Sequence, residues 1–192
     1  MRYYILTTLF LAIFLSSFSQ SDSIRKKTVW LRPSIENGVS FIRNEYLKNS
    51  FGTNSTYNWG FGVRFGNGAT NDFLPFVQYS NSKYTSRRIF STNQRMDSIL
   101  RIRQIIAGFV FPVRRFGTSM LRAKTGFIHS TILDEISKNS GDGTGVQLGF
   151  GFETKMEGNS RVYFDCSYDL IKFEIAPFRD YDILKLSIGI VL

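Results

Sequence analysis

Apolar and polar residues alternate without a break over residues 57–65. Tyr57, Trp59, Phe61, Val63 and Phe65 fall on one side, and Asn58, Gly60, Gly62 and Arg64 on the other. A helix would wind every second residue around its whole surface, so this period of two predicts an extended strand with two unlike faces. The pattern returns over residues 31–41, 73–79, 99–113, 121–127, 146–152, 162–170 and 184–192. Segment 99–113 is apolar on both faces in its second half, which leaves its register open. Eight strands near the ~10 residues of a tilted membrane strand predict an all-β fold. The expected architecture is an eight-stranded antiparallel up-and-down transmembrane β-barrel.

The connections alternate as well. Residues 44–56, 85–97, 133–144 and 171–182 read as long polar loops. Residues 66–72, 114–119 and 154–160 are shorter and carry turn formers such as Gly66-Asn67-Gly68 and Gly158-Asn159. Short turns on one side and longer loops on the other are the habit of outer-membrane barrels, with the short turns periplasmic. Pro33, Pro75 and Pro112 then fall near periplasmic strand ends, where a missing ladder hydrogen bond is tolerated.

Alternation alone does not say which face meets which solvent. A soluble barrel turns its apolar face inward, and a membrane barrel turns it outward. The polar face carries Gly60, Gly62, Gly108, Gly126, Gly149, Gly151 and Gly189. Such glycines would weaken a water-facing surface, but inside a narrow barrel they make room for long neighbours. Those neighbours are Arg32, Arg64, Arg122, Lys124, Arg161 and Lys185, with Glu36, Glu153, Asp165 and Asp169 of opposite sign. Paired charges are tolerable in a narrow interior where isolated ones are not. Eight strands leave space only for side chains or one small ligand, so a plugged, ion-paired interior is expected. On the apolar face, Tyr57, Phe65, Phe73, Tyr79, Phe127, Phe152 and Tyr168 suggest two interfacial aromatic girdles.

The chain has 192 residues, 43% of them hydrophobic and 16% aromatic. A mean hydropathy close to zero excludes a helical membrane bundle but not a barrel, whose strands average two faces. Arg2, the apolar run 5–15 and the small pair Ser17 and Ser19 read as a cleaved signal peptide over 1–19. A short basic periplasmic lead-in over 20–29 and the barrel over 30–192 complete the expected division. Loss of Arg2 lowers the net charge from +9 to +8. For an exported chain that excess points to outer-membrane lipid and lipopolysaccharide phosphates as neighbours rather than nucleic acid. One cysteine (Cys166) and one histidine (His129) exclude an internal disulfide and a multi-histidine zinc site. No cofactor or metal is expected.

The last strand alternates through Leu184, Leu186, Ile188, Ile190 and Leu192, and resembles the C-terminal insertion signal of outer-membrane barrels. Asn58-Trp59-Gly60-Phe61-Gly62-Val63 and Gln147-Leu148-Gly149-Phe150-Gly151-Phe152 resemble the glycine-aromatic strands of the small OmpX-like and PorT-like barrel families. The resemblance spans 20–192. It implies the cell outer membrane and an eight-stranded meander, and no single activity.

Two surfaces carry candidate chemistry. His129, Ser130 and Glu135 supply the residue types of a hydroxyl nucleophile, its base and an orienting carboxylate, as in lipid A deacylase barrels. His129 and Ser130 are adjacent, however, and should point to opposite faces of a strand. Arg87 and Arg88, with Lys83 and Arg95, make the second outer loop basic and suited to anionic lipid headgroups. Gly141-Asp142-Gly143-Thr144-Gly145 looks like a phosphate cradle but lacks the lysine of a P-loop and reads as a loop tip. The expected function is a non-enzymatic, monomeric outer-membrane barrel. It acts structurally or presents its outer loops to an envelope protein partner, including a PorT-like secretion or assembly role. The alternatives are a lipid A deacylase-type hydrolase and a soluble periplasmic lipocalin-like binder.

Overall fold

A computed structural model describes residues 29–43, 55–67, 73–89, 95–135, 138–156, 160–173 and 180–192. The expected signal peptide and nearly all of the basic lead-in lie outside the described residues. Eight strands are seen among those described: β1 (Val29–Arg43), β2 (Ser55–Asn67), β3 (Leu74–Ile89), β4 (Arg95–Phe116), β5 (Ser119–Asp134), β6 (Ser140–Lys155), β7 (Arg161–Phe173) and β8 (Asp180–Val191). Each pairs antiparallel with its sequence neighbour, and β8 pairs with β1, so the sheet is a closed up-and-down barrel. Closure leaves no open sheet edge inside a membrane, where an unpaired backbone group would cost several kcal/mol.

The register fixes the stagger. Starting at Ile42, the lateral partners run through Ile183, Asp169, Gln147, Gly126, Gly108, Phe76 and Arg64, and return to β1 at Arg32. One circuit thus descends ten residues along β1, so the strands tilt steeply against the barrel axis. Rings of side chains at one height therefore draw on residues far apart in sequence. At the chain-end side, Gly117 takes a left-handed φ of 60° in the two-residue β4–β5 turn, with open space around it. The Leu192 amide donates to the Pro33 carbonyl at 3.0 Å and fastens the last residue to β1.

In the half of the barrel that carries the chain ends, apolar side chains face outward. Phe61, Phe150 and Ile188 are 55%, 65% and 57% exposed, while Arg64 and Asp165 are buried at 5% and 3%. This arrangement excludes the soluble lipocalin-like alternative for that half. The nine residues from Leu31 to Val39 run the height of this belt on β1. At ~3.3 Å per residue and a tilt of ~40° they rise about 20 Å, close to the ~25 Å apolar band of outer-membrane barrels. Asn37, which interrupts the apolar alternation of β1, accepts a hydrogen bond from the Tyr57 hydroxyl at 2.5 Å, so its amide oxygen is not bare toward lipid.

Above this belt the polarity inverts. Arg43, Ser55, Lys83, Arg103, Thr144, Asp142 and Lys172 now face outward and are exposed. Ile42, Tyr84, Leu100, Ile102, Ile132, Ile171, Phe173, Tyr181 and Ile183 fill the lumen and are almost wholly buried. This upper section has the inside-out order of a water-soluble barrel. It corrects the sequence-based expectation of long outer loops. Much of 85–97, 133–144 and 171–182 is strand, and Gly141–Gly145 lies inside β6 rather than at a loop tip. The physical reason is that an alternating strand stays a strand when its solvent changes. A reading that requires apolar-out stops at the boundary. In β4, Leu100 and Ile102 point inward in this upper section and Ile106 and Val110 point inward within the belt, while Ile105 and Phe109 point outward.

Candidate functional site in the lumen and at the outer rim

The polar faces of the strands converge inside the belt as two clusters. In the lower one Arg122 is fully buried and central. Its Nε and Nη2 donate to the two carboxylate oxygens of Asp165 at 3.0 and 2.5 Å, and its Nη1 to Glu153 Oε2 at 2.7 Å. Arg64 Nη1 reaches the same Glu153 oxygen at 2.5 Å, and Arg161 Nη1 reaches Glu153 Oε1 at 3.1 Å. The two guanidinium groups that share Glu153 Oε2 are held further by the Tyr163 ring, over which Arg64 and Arg122 stack at 4.8 and 4.2 Å. Such stacking offsets part of the repulsion between the two cations. The Tyr163 hydroxyl donates to Glu36 Oε2 at 3.1 Å, Gln78 Nε2 donates to Glu36 Oε1, and Lys124 Nζ donates to Gln78 Oε1 at 2.7 Å.

The second cluster lies higher. Lys185 Nζ contacts Asp169 Oδ2 at 2.7 Å, and Gln104 and Gln147 donate to the Asp169 oxygens at 3.1 and 2.8 Å. Lys185 also donates to Gln104 Oε1 and, at 3.4 Å, to Ser80 Oγ. Four buried cations (Arg64, Arg122, Lys124, Lys185) thus face four buried carboxylates (Glu36, Glu153, Asp165, Asp169). Arg32 and Arg161 stand half-buried below them toward the chain-end mouth.

Glycines let these pairs meet across an intervening strand. Gly151 on β6 is the lateral partner of both Arg122 and Asp165. A Cβ there would lie 1.8 Å from Asp165 Oδ1, so the Arg122–Asp165 pair closes over the space that a side chain would fill. Gly189 on β8 stands in the same way between Glu36 and Tyr163, and a Cβ would meet the Tyr163 ring at 2.3 Å. Gln78, Gln104, Gln147 and Tyr163 were not singled out from the sequence, and the first three complete the hydrogen bonding of the carboxylates and cations. Gln147 and Tyr163 carried a signal, standing between Gly145 and Gly149 and between Arg161 and Asp165 on their faces, whereas Gln78 and Gln104 stand next to Phe76 and between Ile102 and Ile106.

The candidate catalytic residues do not converge. His129 is exposed on the outer wall of β5, next to Ile105 and Thr144 on the flanking strands. Ser130 points into the lumen, where its hydroxyl has no hydrogen-bond partner among the described residues. Glu135 lies in the turn after β5 and pairs with Arg101 at 2.6 Å. A proton could not pass from Ser130 to His129 through the barrel wall, because a base must lie within hydrogen-bond reach of its nucleophile. Among the described residues no group of three or more His, Cys, Asp or Glu is placed to hold a metal ion.

Arg87 and Arg88 lie in the extended end of β3 and Arg95 at the start of β4, with Asp97, Met96 and Ile89 as their backbone partners. They belong to a strand pair and not to a loop, and their side chains lie outside the described part of the structure. On this strand pair the outward cations described above the belt are Lys83 on β3 and Arg101 and Arg103 on β4. Below them Trp59, Phe61 and Tyr79 form an aromatic patch with centroid separations of 5.2–6.4 Å.

No family model matches the chain, and no curated protein matches it. Solved structures do. Neisserial surface protein A superposes with a TM-score of 0.60 at 12% identity, covering 86% of this chain and 99% of that one. The attachment invasion locus protein Ail of Yersinia pestis, solved in complex with the heparin analogue sucrose octasulfate, superposes with a TM-score of 0.52 at 15% identity, covering 84% and 97%. At these identities the likeness is one of fold: that of the small eight-stranded outer-membrane barrels. The fold and the lipid-facing belt together place the chain in the outer membrane.

Proposed function

We propose that this chain is a non-enzymatic outer-membrane barrel with a plugged lumen, acting as a structural element whose outer rim is its interaction surface. The observation that carries the reading is the lumen itself. Its charges are matched and hydrogen-bonded in the lower half, and an apolar cap closes the upper half. A water-filled channel needs polar walls along its whole length, and the cap around Ile132, Leu100 and Tyr181 removes them. Catalysis finds no support in the separated His129, Ser130 and Glu135. Reconstitution of the full chain into planar bilayers tests the plug. The membranes should stay at baseline conductance, and stable unitary current steps would overturn the reading. Lipid A from cells carrying His129→Ala should match wild type by mass spectrometry, and a lost or gained acyl chain would reinstate hydrolysis.

A further inference from the structure

We propose that Lys83, Arg101 and Arg103 form a binding site for the phosphate groups of a phosphorylated lipid in the outer leaflet. The inference rests on the reading of the belt as bilayer-embedded. Lys83 and Arg101 are direct cross-strand partners, and Arg103, opposite Asn81, is on the same outward face of β4 two residues along. Like charges directly opposite one another destabilise a sheet, so the patch is poised for an anion. Only Arg101 has a carboxylate partner among the described residues, Glu135 at 2.6 Å. The nearest outward carboxylate across β5, Asp142, accepts instead from Thr131 Oγ1 at 2.8 Å.

Position selects the source of the anion. Arg103 stands one step above Ile105, and Lys83 and Arg101 stand two steps above Tyr79 and Ile105, the last apolar residues of the belt on their strands. That is the height of headgroup phosphates, with the Trp59–Phe61–Tyr79 patch below to lie along acyl chains. Arginine can grip a phosphate through two parallel N–H donors, and lysine adds a point charge. A lipid bearing two phosphates would engage both ends of the patch.

The test uses the full chain in nonionic detergent and native mass spectrometry, with bis-phosphorylated lipid A and the same lipid dephosphorylated as probes. Lipid A should bind at least tenfold more tightly than its dephosphorylated form. Lys83→Ser with Arg103→Ser should abolish that difference, while Arg43→Ser with Lys172→Ser, exposed cations on β1 and β7, should preserve it. Equal binding by wild type and the Lys83/Arg103 variant would overturn the site. So would full displacement of the lipid by millimolar inorganic phosphate, which would make it a free-anion site. A second readout does not depend on comparing two binding affinities. Without lipid, Lys83→Ser alone should raise the melting temperature by a degree or more, because it removes a repulsion; with lipid A the order should reverse. An unchanged order would also sink the proposal. In a Trp30→Phe background, quenching of Trp59 by brominated acyl chains reads the belt alone. Loss of quenching would therefore fault the bilayer reading rather than the phosphate site.

Discussion

The two halves of this barrel are built on one continuous sheet and yet obey opposite rules. In the lower half Phe150, Leu148 and Val146 of β6 face lipid while Gly149 and Gln147 face the lumen. A few residues nearer the outer rim, Thr144 and Asp142 face water, and the facing lumen belongs to Ile132, Ile171 and Phe173. Backbone pairing runs through the change between every pair of neighbouring strands except β2 and β3, whose partners end at Asn58 and Ser82. The comparison teaches that the hydrogen-bonded cylinder is indifferent to its surroundings. The solvent on each side decides which residues can occupy which face. Where lipid is outside, the interior must satisfy its charges with charge, and Leu74, Phe76, Ile106 and Val110 fill the space beside them. Where water is outside, the interior reverts to an apolar core driven by its removal from water.

The sharpest way to break the comparison is to attack the lower interior at its centre. Arg122→Met should cost about 3–5 kcal/mol in urea unfolding from lipid vesicles, since Glu153 and Asp165 are left buried and short of their partner. The upper interior should respond to lost packing instead. Ile132→Ala should cost about 2–5 kcal/mol, because its site is fully buried among aliphatic neighbours. Ile188→Ala, on the lipid-facing wall, should cost less than either in the same unfolding assay. The outer wall then separates the halves by solvent. Leu148→Arg should cost about 2–4 kcal/mol and Thr144→Arg only about 0–1 kcal/mol, as the depth dependence for barrel surfaces requires. The smallest effect is expected at the transition between the two interiors. Among the described residues the buried Ser130 hydroxyl has no partner, so Ser130→Ala should be neutral or stabilising by up to about 1 kcal/mol in thermal or urea unfolding.

Much of this was legible in the sequence. All eight strands were legible, seven through alternation and β4 in its second half only as an apolar run, and the glycine-rich polar face already argues for lipid outside. What escaped was the upper section, and the reason is local. In Ile128-His129-Ser130-Thr131-Ile132-Leu133 the isoleucines turn inward, the reverse of Phe127 and Leu121 on the same strand. A single polarity rule therefore reads that stretch as the start of a loop. β4 shows the same conflict, with Ile102 and Ile106 in the lumen and Ile105 against lipid. The composition of the ion-paired interior can be read from one strand at a time, but its pairings cannot. Arg64 and Glu153 are 89 residues apart and meet only because the stagger of the closed sheet brings β2 and β6 side chains to one height. No local pattern encodes that shear. The glycine bridges at Gly151 and Gly189 are equally invisible until the register shows which residues flank them.

The central claim is the change of solvent along a single outer face, and a depth profile of β6 tests it most directly. With Cys166 replaced by serine, spin labels placed singly at Phe152, Phe150, Leu148, Val146, Thr144 and Asp142 in a reconstituted bilayer would be probed with oxygen and a water-soluble nickel complex. Collisions with oxygen should dominate from Phe152 through Val146, and the nickel complex should take over at Thr144 and Asp142. Labels at Thr144 and Asp142 as shielded from nickel as that at Leu148, or a label at Phe150 open to it, would contradict the account.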